Sequence, residues 1–547
     1  MRAASRWTWS RVSSARRPSL LNAITHWLNG PQAGNTMLVL RIAFFAVFVI
    51  AAFWLILGGR RAAGGRAAGF PLLAFLTLVA WGGILAAQFN WQLLGARDID
   101  FMRFMRTHNA RPSSLVRRGS ILDCRGTVLA IDDPRPGQPW NRRYPLGPAA
   151  AHVVGYFDVQ YGLTGMERAG DQVLSGVGGT ARDELARIGR NLMASNQAEG
   201  GDLRLTIDAR LQRKAHDLMQ GKKGAVVVLR ADDGAVKVLL SMPAFDPCRP
   251  GEAQDDVANA PLLNRALQGL YPPGSTFKIV MAALAAGQRL APVFDCPGGG
   301  FRAARDARPI RDSEYYLRQR EGRSWIGFGR IGLRAGFVHS SNVYFAQLGL
   351  ACPPGAFNDV VARLRLTDRV ALYESDTGCV AASAGTVPVV KAADRKTRAQ
   401  LAIGQGRMVV TPLHVALWTA AVAAGGEQHP PVLVRPSPLP AGERVLSRAV
   451  AATTRGLMRE AVLHGTGRGA DLPGLAVCGK TGTAQAPGGE DHAWFTCFAS
   501  GAEPPLVVTV LVERGGYGSR GALPIARALL EEAVRLEIIR RTGSGQP

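Results

Sequence analysis

The sequence predicts an α/β protein in which one antiparallel sheet is flanked by helices, behind a small mainly-β spacer and N-terminal transmembrane helices. Three observations predict this. Apolar residues crowd into the first ninety positions as two runs with no polar face. From about residue 97 the texture changes to short strands, glycine turns and charged segments. From Thr206 onward, strand-like apolar segments stand at both ends of a stretch whose middle reads as helices, the pattern of one sheet covered by helices. A chain of 547 residues has room for two or three domains with ample core.

Residues 1–35 form a basic tail with Arg2, Arg6, Arg11, Arg16 and Arg17 and no acid. A short amphipathic piece, Leu20 to Leu28, suits a bilayer surface, and a disordered tail suits the composition equally. Residues 36–57 and 70–89 are each long enough to cross a hydrocarbon core of about 30 Å, and we read two membrane spans. A glycine- and arginine-rich hinge, 58–69, separates them. No small-residue cleavage site follows either run, so neither reads as a removed signal peptide. Arginine flanks the runs on every side, so charge asymmetry does not orient them.

The formal net charge is +24, carried overwhelmingly by arginine. Such a balance suits nucleic acid, an anionic membrane or an acidic polymer, and it also follows from a genome-wide arginine bias. The chain has no zinc-finger spacing, phosphate-binding glycine pattern or interleaved aromatic-basic strip, which argues against nucleic acid. Its seven cysteines, at 124, 248, 296, 352, 379, 478 and 497, lack C-x-x-C spacing, which argues against zinc.

Residues 97–205 read as a spacer. Arg118 to Asp123 and Gly126 to Ala130 form two strands around a turn, and a helix opens in Gly162 to Glu167 and ends near Gly176. This region shows no catalytic constellation, and His152 reads as a packing residue. Residues 206–541 read as the main domain. Asp208 caps a helix that runs to about Met219. Gly224 to Leu229 and Ala235 to Ser241 are strands joined by the turn signal Asp232-Asp233-Gly234. Residues 296–334 read as loops. Ala476 to Gln485, Ala493 to Ser500 and Leu506 to Glu513 are strands, and Pro524 to Arg540 is a closing amphipathic helix.

Three short patterns carry chemistry. In Pro272-Pro273-Gly274-Ser275-Thr276-Phe277-Lys278 a loop opens into an apolar helix, and on a helix Ser275 and Lys278 share one face. A serine hydroxyl needs a base to become a nucleophile, and a lysine kept neutral by burial or a second cation is such a base. Ser340-Ser341-Asn342 precedes a second apolar helix, where a turn can aim one hydroxyl and one amide into a cleft. In Lys480-Thr481-Gly482-Thr483, alternation along a strand puts Lys480 and Gly482 on one face and Thr481 and Thr483 on the other. Gly482 leaves room for a ligand against the strand. Each pattern alone reads more readily as a helix cap or an edge-strand glycine than as a catalytic motif.

Together, in this order and on helix, helix and strand, the three are the signature set of penicillin-binding proteins and class A β-lactamases. The chain resembles the class B penicillin-binding proteins, membrane-anchored D,D-transpeptidases of peptidoglycan synthesis, from about Arg118 to Ala526. Asn264-Arg265-Ala266, Ile403-Gly404-Gln405-Gly406, Thr411-Pro412-Leu413, Gly465-Thr466-Gly467 and Ala493-Trp494-Phe495 add to the resemblance. It departs in Cys124, where the family usually has arginine, in showing two spans rather than one, and in its short spacer.

The resemblance implies that Ser275 attacks the penultimate D-alanine of a D-alanyl-D-alanine stem peptide while Lys278 takes its proton. Ser340 relays a proton to the leaving amine, and Asn342 holds the donor's peptide carbonyl. Lys480 supplies charge for the substrate carboxylate and helps keep Lys278 neutral, while Thr481 and Thr483 bond that carboxylate. The backbone N–H groups of Ser275 and Thr483 form the oxyanion hole. β-Lactams acylate Ser275, and no metal or cofactor is required. The implied place is the cytoplasmic (inner) membrane with the catalytic domain outside, beside a multi-spanning glycan polymerase as partner. The rival readings are a D,D-carboxypeptidase, a membrane β-lactam sensor and a structural scaffold. A β-lactamase fits less well, because no Glu-x-x-Leu-Asn-like segment follows Asn342.

Overall fold

The computed structural model describes residues 116–542 except 134–140, 159, 177–197, 437 and 487–488, and Gly82 besides. The basic tail, both apolar runs and the hinge therefore lie outside the described residues, Gly82 apart. Among the described residues no helix is long and apolar enough to cross a membrane. From residue 116 onward the described chain belongs to one compact unit.

In the spacer, β1 (Ile121–Leu122), β2 (Val128–Asp132) and β3 (Arg142–Arg143) pair antiparallel. β4 (Leu203–Arg204) joins β1 in parallel, giving the order β3-β2-β1-β4. The turn between β1 and β2 is held by Asp123, whose Oδ1 accepts from the N–H groups of Arg125 and Thr127 at 2.8 and 2.7 Å. Short helices occupy nearly as many residues of the described spacer as strands do, so its described part is mixed α and β. The helix expected up to Gly176 is two pieces broken at Gly170, α1 (Gly165–Ala169) and α2 (Asp171–Leu174). His152 is buried, with Nε2 2.7 Å from the Pro261 carbonyl and its ring edge-on to Phe245.

Charge is buried here where the sequence showed no constellation. Glu167 is fully buried and accepts from Arg118 Nε and Arg142 Nε, each at 2.7 Å. Arg118 also reaches Asp171, and Arg142 reaches Asp132. Burial alone would raise the Glu167 carboxyl, but the two guanidinium groups hold it below the usual carboxylate range.

In the larger part, α3 (Ala209–Leu218) is capped by Asp208, whose side chain accepts from Arg210 N. Spacer and larger part are joined at this point, where Asp123 Oδ2 accepts from Ala209 N at 3.1 Å. Strands β5 (Gly224–Arg230) and β6 (Val236–Met242) form the expected hairpin. A 3₁₀ turn, Gly274–Phe277, runs into α4 (Lys278–Gly287). Residues 296–334 are not simply loops: β7 (Phe294–Pro297) pairs with β8 (Gly327–Ile331), and α5 (Ser313–Arg320) lies between them. α5 buries none of its side chains, so no apolar period marks it in the sequence.

The remaining helices that frame the site are α6 (Asn342–Ala351), α7 (Pro412–Ala423) and α8 (Arg448–His464). β9 (Val477–Ala484), β10 (His492–Ala499) and β11 (Leu506–Val512) complete an antiparallel sheet in the order β6-β5-β11-β10-β9. α9 (Leu523–Arg535) follows, shorter than expected. Alternate residues of β5 serve two cores. Ala225, Val227 and Leu229 pack on the α7 side, while Val226 and Val228 pack with α3 and α9. The sheet is thus covered on both faces, which explains why β11 is buried along its whole length and apolar except at Thr509.

Replacing Glu167 by alanine would leave two arginines buried without their shared partner. The expected loss is about 3 kcal/mol or more of unfolding free energy, read in a denaturant titration of the full chain.

Candidate active site

The turn that carries Ser275 is pressed between an edge strand and a loop. Gly274 has φ +53°, and a β-carbon there would stand 2.6 Å from the Thr483 carbonyl oxygen, so only glycine fits. Gly274 N–H donates to Gly404 O at 2.9 Å, and Trp494 Nε1 donates to Pro272 O at 3.1 Å. These bonds hold a partly exposed Ser275 beside the outer edge of β9.

Gly482 does not face a vacant slot. A β-carbon there would meet Thr276 Cγ2 at 2.8 Å and Trp494 Cβ at 2.9 Å, so the room it leaves is filled by the protein itself. Its bareness lets the nucleophile turn sit close on the strand. In an antiparallel strand the N–H and C=O of one residue point the same way. The Thr483 carbonyl approaches Gly274, so the Thr483 N–H is directed off the same free edge, next to Ser275.

Lys278 opens α4 and is fully buried. Its Nζ donates to Ser340 O at 2.6 Å and to Asn342 Oδ1 at 2.7 Å, and lies 3.4 Å from Ser340 Oγ. Two donors are thereby fixed, which directs the remaining nitrogen valence away from both acceptors. Lys480, also fully buried, lies 2.8 Å from Ser340 Oγ and donates to Thr481 O at 3.1 Å. One serine hydroxyl therefore sits between two amines. The ring faces of Phe345 and Phe337 lie 5.4 and 5.7 Å from Lys278 and Lys480.

Burial pushes the Lys278 amine down to about 7, against weaker opposition from Asp312 and Glu314. Lys480 is driven well below the usual lysine range, first by burial and then by the Lys278 charge. Desolvation thus does most of what the sequence assigned to repulsion by Lys480.

Ser340 has φ +56°, an unusual conformation for a residue with a side chain and the kind of strain that collects at functional sites. It turns both carbonyl and hydroxyl towards the lysines. Ser341 is the buried N-cap of α6, its Oγ accepting from Tyr344 N at 3.1 Å. The cap reading and the cleft reading of this motif both hold, for adjacent residues. Asn342 Nδ2 donates to Arg311 O at 3.0 Å, which leaves its second N–H for a ligand. Thr481 is nearly buried and lies 2.6 Å from the Thr466 hydroxyl, whereas Thr483 is partly exposed.

The motifs did not reveal Asp312. It is 2% exposed, accepts from Ser341 Oγ at 3.0 Å and from Val343 N at 3.1 Å, and so locks the turn that presents Ser340. In sequence it reads only as the residue before a polar helix, because its partners lie about thirty positions away. Among the described residues no group of His, Cys, Asp and Glu could hold a metal ion, and all seven cysteines are free.

Comparison with known proteins places this geometry in context. A family model described as the penicillin binding protein transpeptidase domain matches residues 224–531, and one described as the penicillin binding protein A dimerisation domain matches 118–203. The peptidoglycan D,D-transpeptidase PbpA of Mycolicibacterium smegmatis is 32% identical over 468 residues, covering 77% of this chain and 89% of that one. PbpA of Mycobacterium tuberculosis is 30% identical over 436 residues, covering 72% and 84%. The solved structure of penicillin-binding protein A from M. tuberculosis as a ceftriaxone acyl-enzyme superposes with a TM-score of 0.67 at 28% identity, covering 77% of this chain and 99% of that one.

Two outcomes are expected. Acylation by penicillin G should rise with pH and reach half its maximum near pH 7 if the free Lys278 amine is the proton acceptor, since its fraction grows through about 7. A pH series of acylation rates checks this. Asp312→Ala should slow acylation by about 10- to 100-fold, since it removes charged hydrogen bonds worth about 1.5 to 3 kcal/mol. The same assay reads it.

Proposed function

The chain belongs to the penicillin-binding protein transpeptidase family, and from that premise we propose that it cross-links peptidoglycan stem peptides through an acyl-enzyme on Ser275. The observation that carries the reading is the Lys278–Ser340–Lys480 chain of close contacts around one hydroxyl.

In the first half-reaction the Ser275 hydroxyl loses its proton to neutral Lys278 as its Oγ bonds to the carbonyl of the penultimate D-alanine. Negative charge on that carbonyl oxygen is met by the N–H groups of Ser275 and Thr483; one such donor contributes about 2.7 to 4 kcal/mol in other acyl-transfer enzymes. The C–N bond then breaks, and the proton passes from Lys278 by way of Ser340 to the departing D-alanine amine. Asn342 holds the donor through its free N–H. In the second half-reaction a stem-peptide amine attacks the ester, the C–Oγ bond breaks, and the amine's proton returns to Ser275 through Lys278.

Lys480 takes on charge when the substrate carboxylate enters, because an anion opposes the burial that lowers it. Thr483 is the exposed hydroxyl for that carboxylate, and Thr481 supports it through Thr466. β-Lactams enter by the first half-reaction and stall there. The two apolar runs anchor the chain in the cytoplasmic membrane with the catalytic part outside, and a multi-spanning glycan polymerase is the partner at the spans and spacer.

Fluorescent penicillin should label the full chain stably for hours and fail to label Ser275→Ala. Rapid loss of label would mean a hydrolase, and release of D-alanine without cross-linked product would mean a carboxypeptidase. Deleting residues 1–96 should move the protein out of the membrane fraction and end co-purification of the polymerase.

A further inference from the structure

At the end of the sheet, away from the catalytic residues, lies a cavity of about 760 Å³. Lys222 and Lys223 before β5, Arg514 and Arg520 after β11, and Arg265 line it, with Glu513 as its one carboxylate. Glu513 is already engaged, since its Oε1 accepts from Arg265 Nε at 2.7 Å and from the Tyr271 hydroxyl at 2.6 Å. Among the described residues no acid forms an ion pair with Lys222, Lys223, Arg514 or Arg520. Glu490 and Asp491 approach the same loop at Gly516 and do not line the cavity.

A general surplus of arginine accounts for part of this, since exposed Arg289, Arg363 and Arg455 also form no ion pair among the described residues while Arg249 and Arg535 do. What is particular here is that the unpaired cations share one concavity. Lysine is scarce in this chain, yet two stand side by side here. Four cations held around one concavity repel one another, and an anion in it relieves that repulsion. The volume suits a small ligand or part of a peptide.

The cavity is coupled to the catalytic cleft by position. Gly518, in the loop that carries Arg514 and Arg520, packs on the main chain of Gly482. β11 lies two strands from β9, about 10 Å across the sheet, which an extended peptide covers in about three residues. A donor lying along the outer edge of β9 closes that side of the cleft, so the attacking amine must come from another direction, and the cavity stands at the end of the same sheet.

We propose that this cavity binds the carboxylates of the acceptor peptide, about three residues from its attacking amine. The inference rests on the transpeptidase reading and gives its second substrate a chemical class, an acidic peptide.

The test uses the full chain and the triple variant Lys222→Gln, Lys223→Gln, Arg520→Gln, side chains at the cavity's exposed rim. Transfer of a preformed acyl group to an acidic amine-bearing peptide should fall by about tenfold or more. Transfer to the same peptide with amidated carboxylates, and acylation by penicillin G, should be unchanged. Equal transfer to both peptides, or an equal loss with both, overturns the proposal. Inhibition by inorganic pyrophosphate with no preference between the peptides overturns it in favour of a phosphate ligand. Anisotropy of a labelled acidic peptide on Ser275→Ala, with and without the triple change, reads binding without turnover. It therefore separates failure here from failure of penicillin to acylate Ser275.

Discussion

Two lysine amines are buried on either side of the Ser340 hydroxyl with no carboxylate in direct contact, and the rest of the cleft is built to tolerate that. An ammonium in such surroundings is penalised by several kcal/mol unless it sheds its proton or finds acceptors. The protein supplies just enough acceptors, the Ser340 carbonyl and the Asn342 amide oxygen for Lys278 and the Thr481 carbonyl for Lys480. They are neutral dipoles. A carboxylate in their place would pull Lys278 back towards its usual range and remove its basicity. Asp312, the acid whose charge acts most on Lys278, is occupied with Ser341 and Val343 instead.

The spacer buries charge by the opposite rule. Glu167 is enclosed by guanidinium groups whose donors reach both of its oxygens. There ionisation is fixed, and the network ties α1 to the strands around it. The same molecule thus uses complete charge pairing where it needs rigidity and incomplete pairing where it needs a proton to move.

What was legible in the sequence follows from which interactions are local. The hairpin β5–β6, the cap at Asp208 and the strands β9 to β11 were readable because turn residues, caps and apolar runs act within a few positions. Ser275, Lys278, Ser340 and Lys480 were identifiable as three patterns in order, although their convergence on one hydroxyl is a tertiary fact. α5 and the β7–β8 pair were missed because they expose arginine and bury little. The Arg118–Glu167–Arg142 network was missed because its members lie far apart, each ordinary in its own segment. Gly482 was assigned the right property for the wrong occupant, since a bare strand position does not say whether a ligand or a side chain such as Thr276 will fill it.

The free edge of β9 has one further consequence. Its donors beside Ser275 belong to the main chain, and no substitution can delete a peptide N–H other than by proline. A natural peptide and a β-lactam acylating Ser275 would read that same invariant edge. A mutant escaping the drug while keeping its substrate could not do so by removing the contacts they share. It would have to shift where the Gly274 turn rests against Thr483, or alter side chains that only the drug touches. Escape at this edge is therefore a matter of displacement rather than deletion, and it draws on the same close packing that keeps the nucleophile in place.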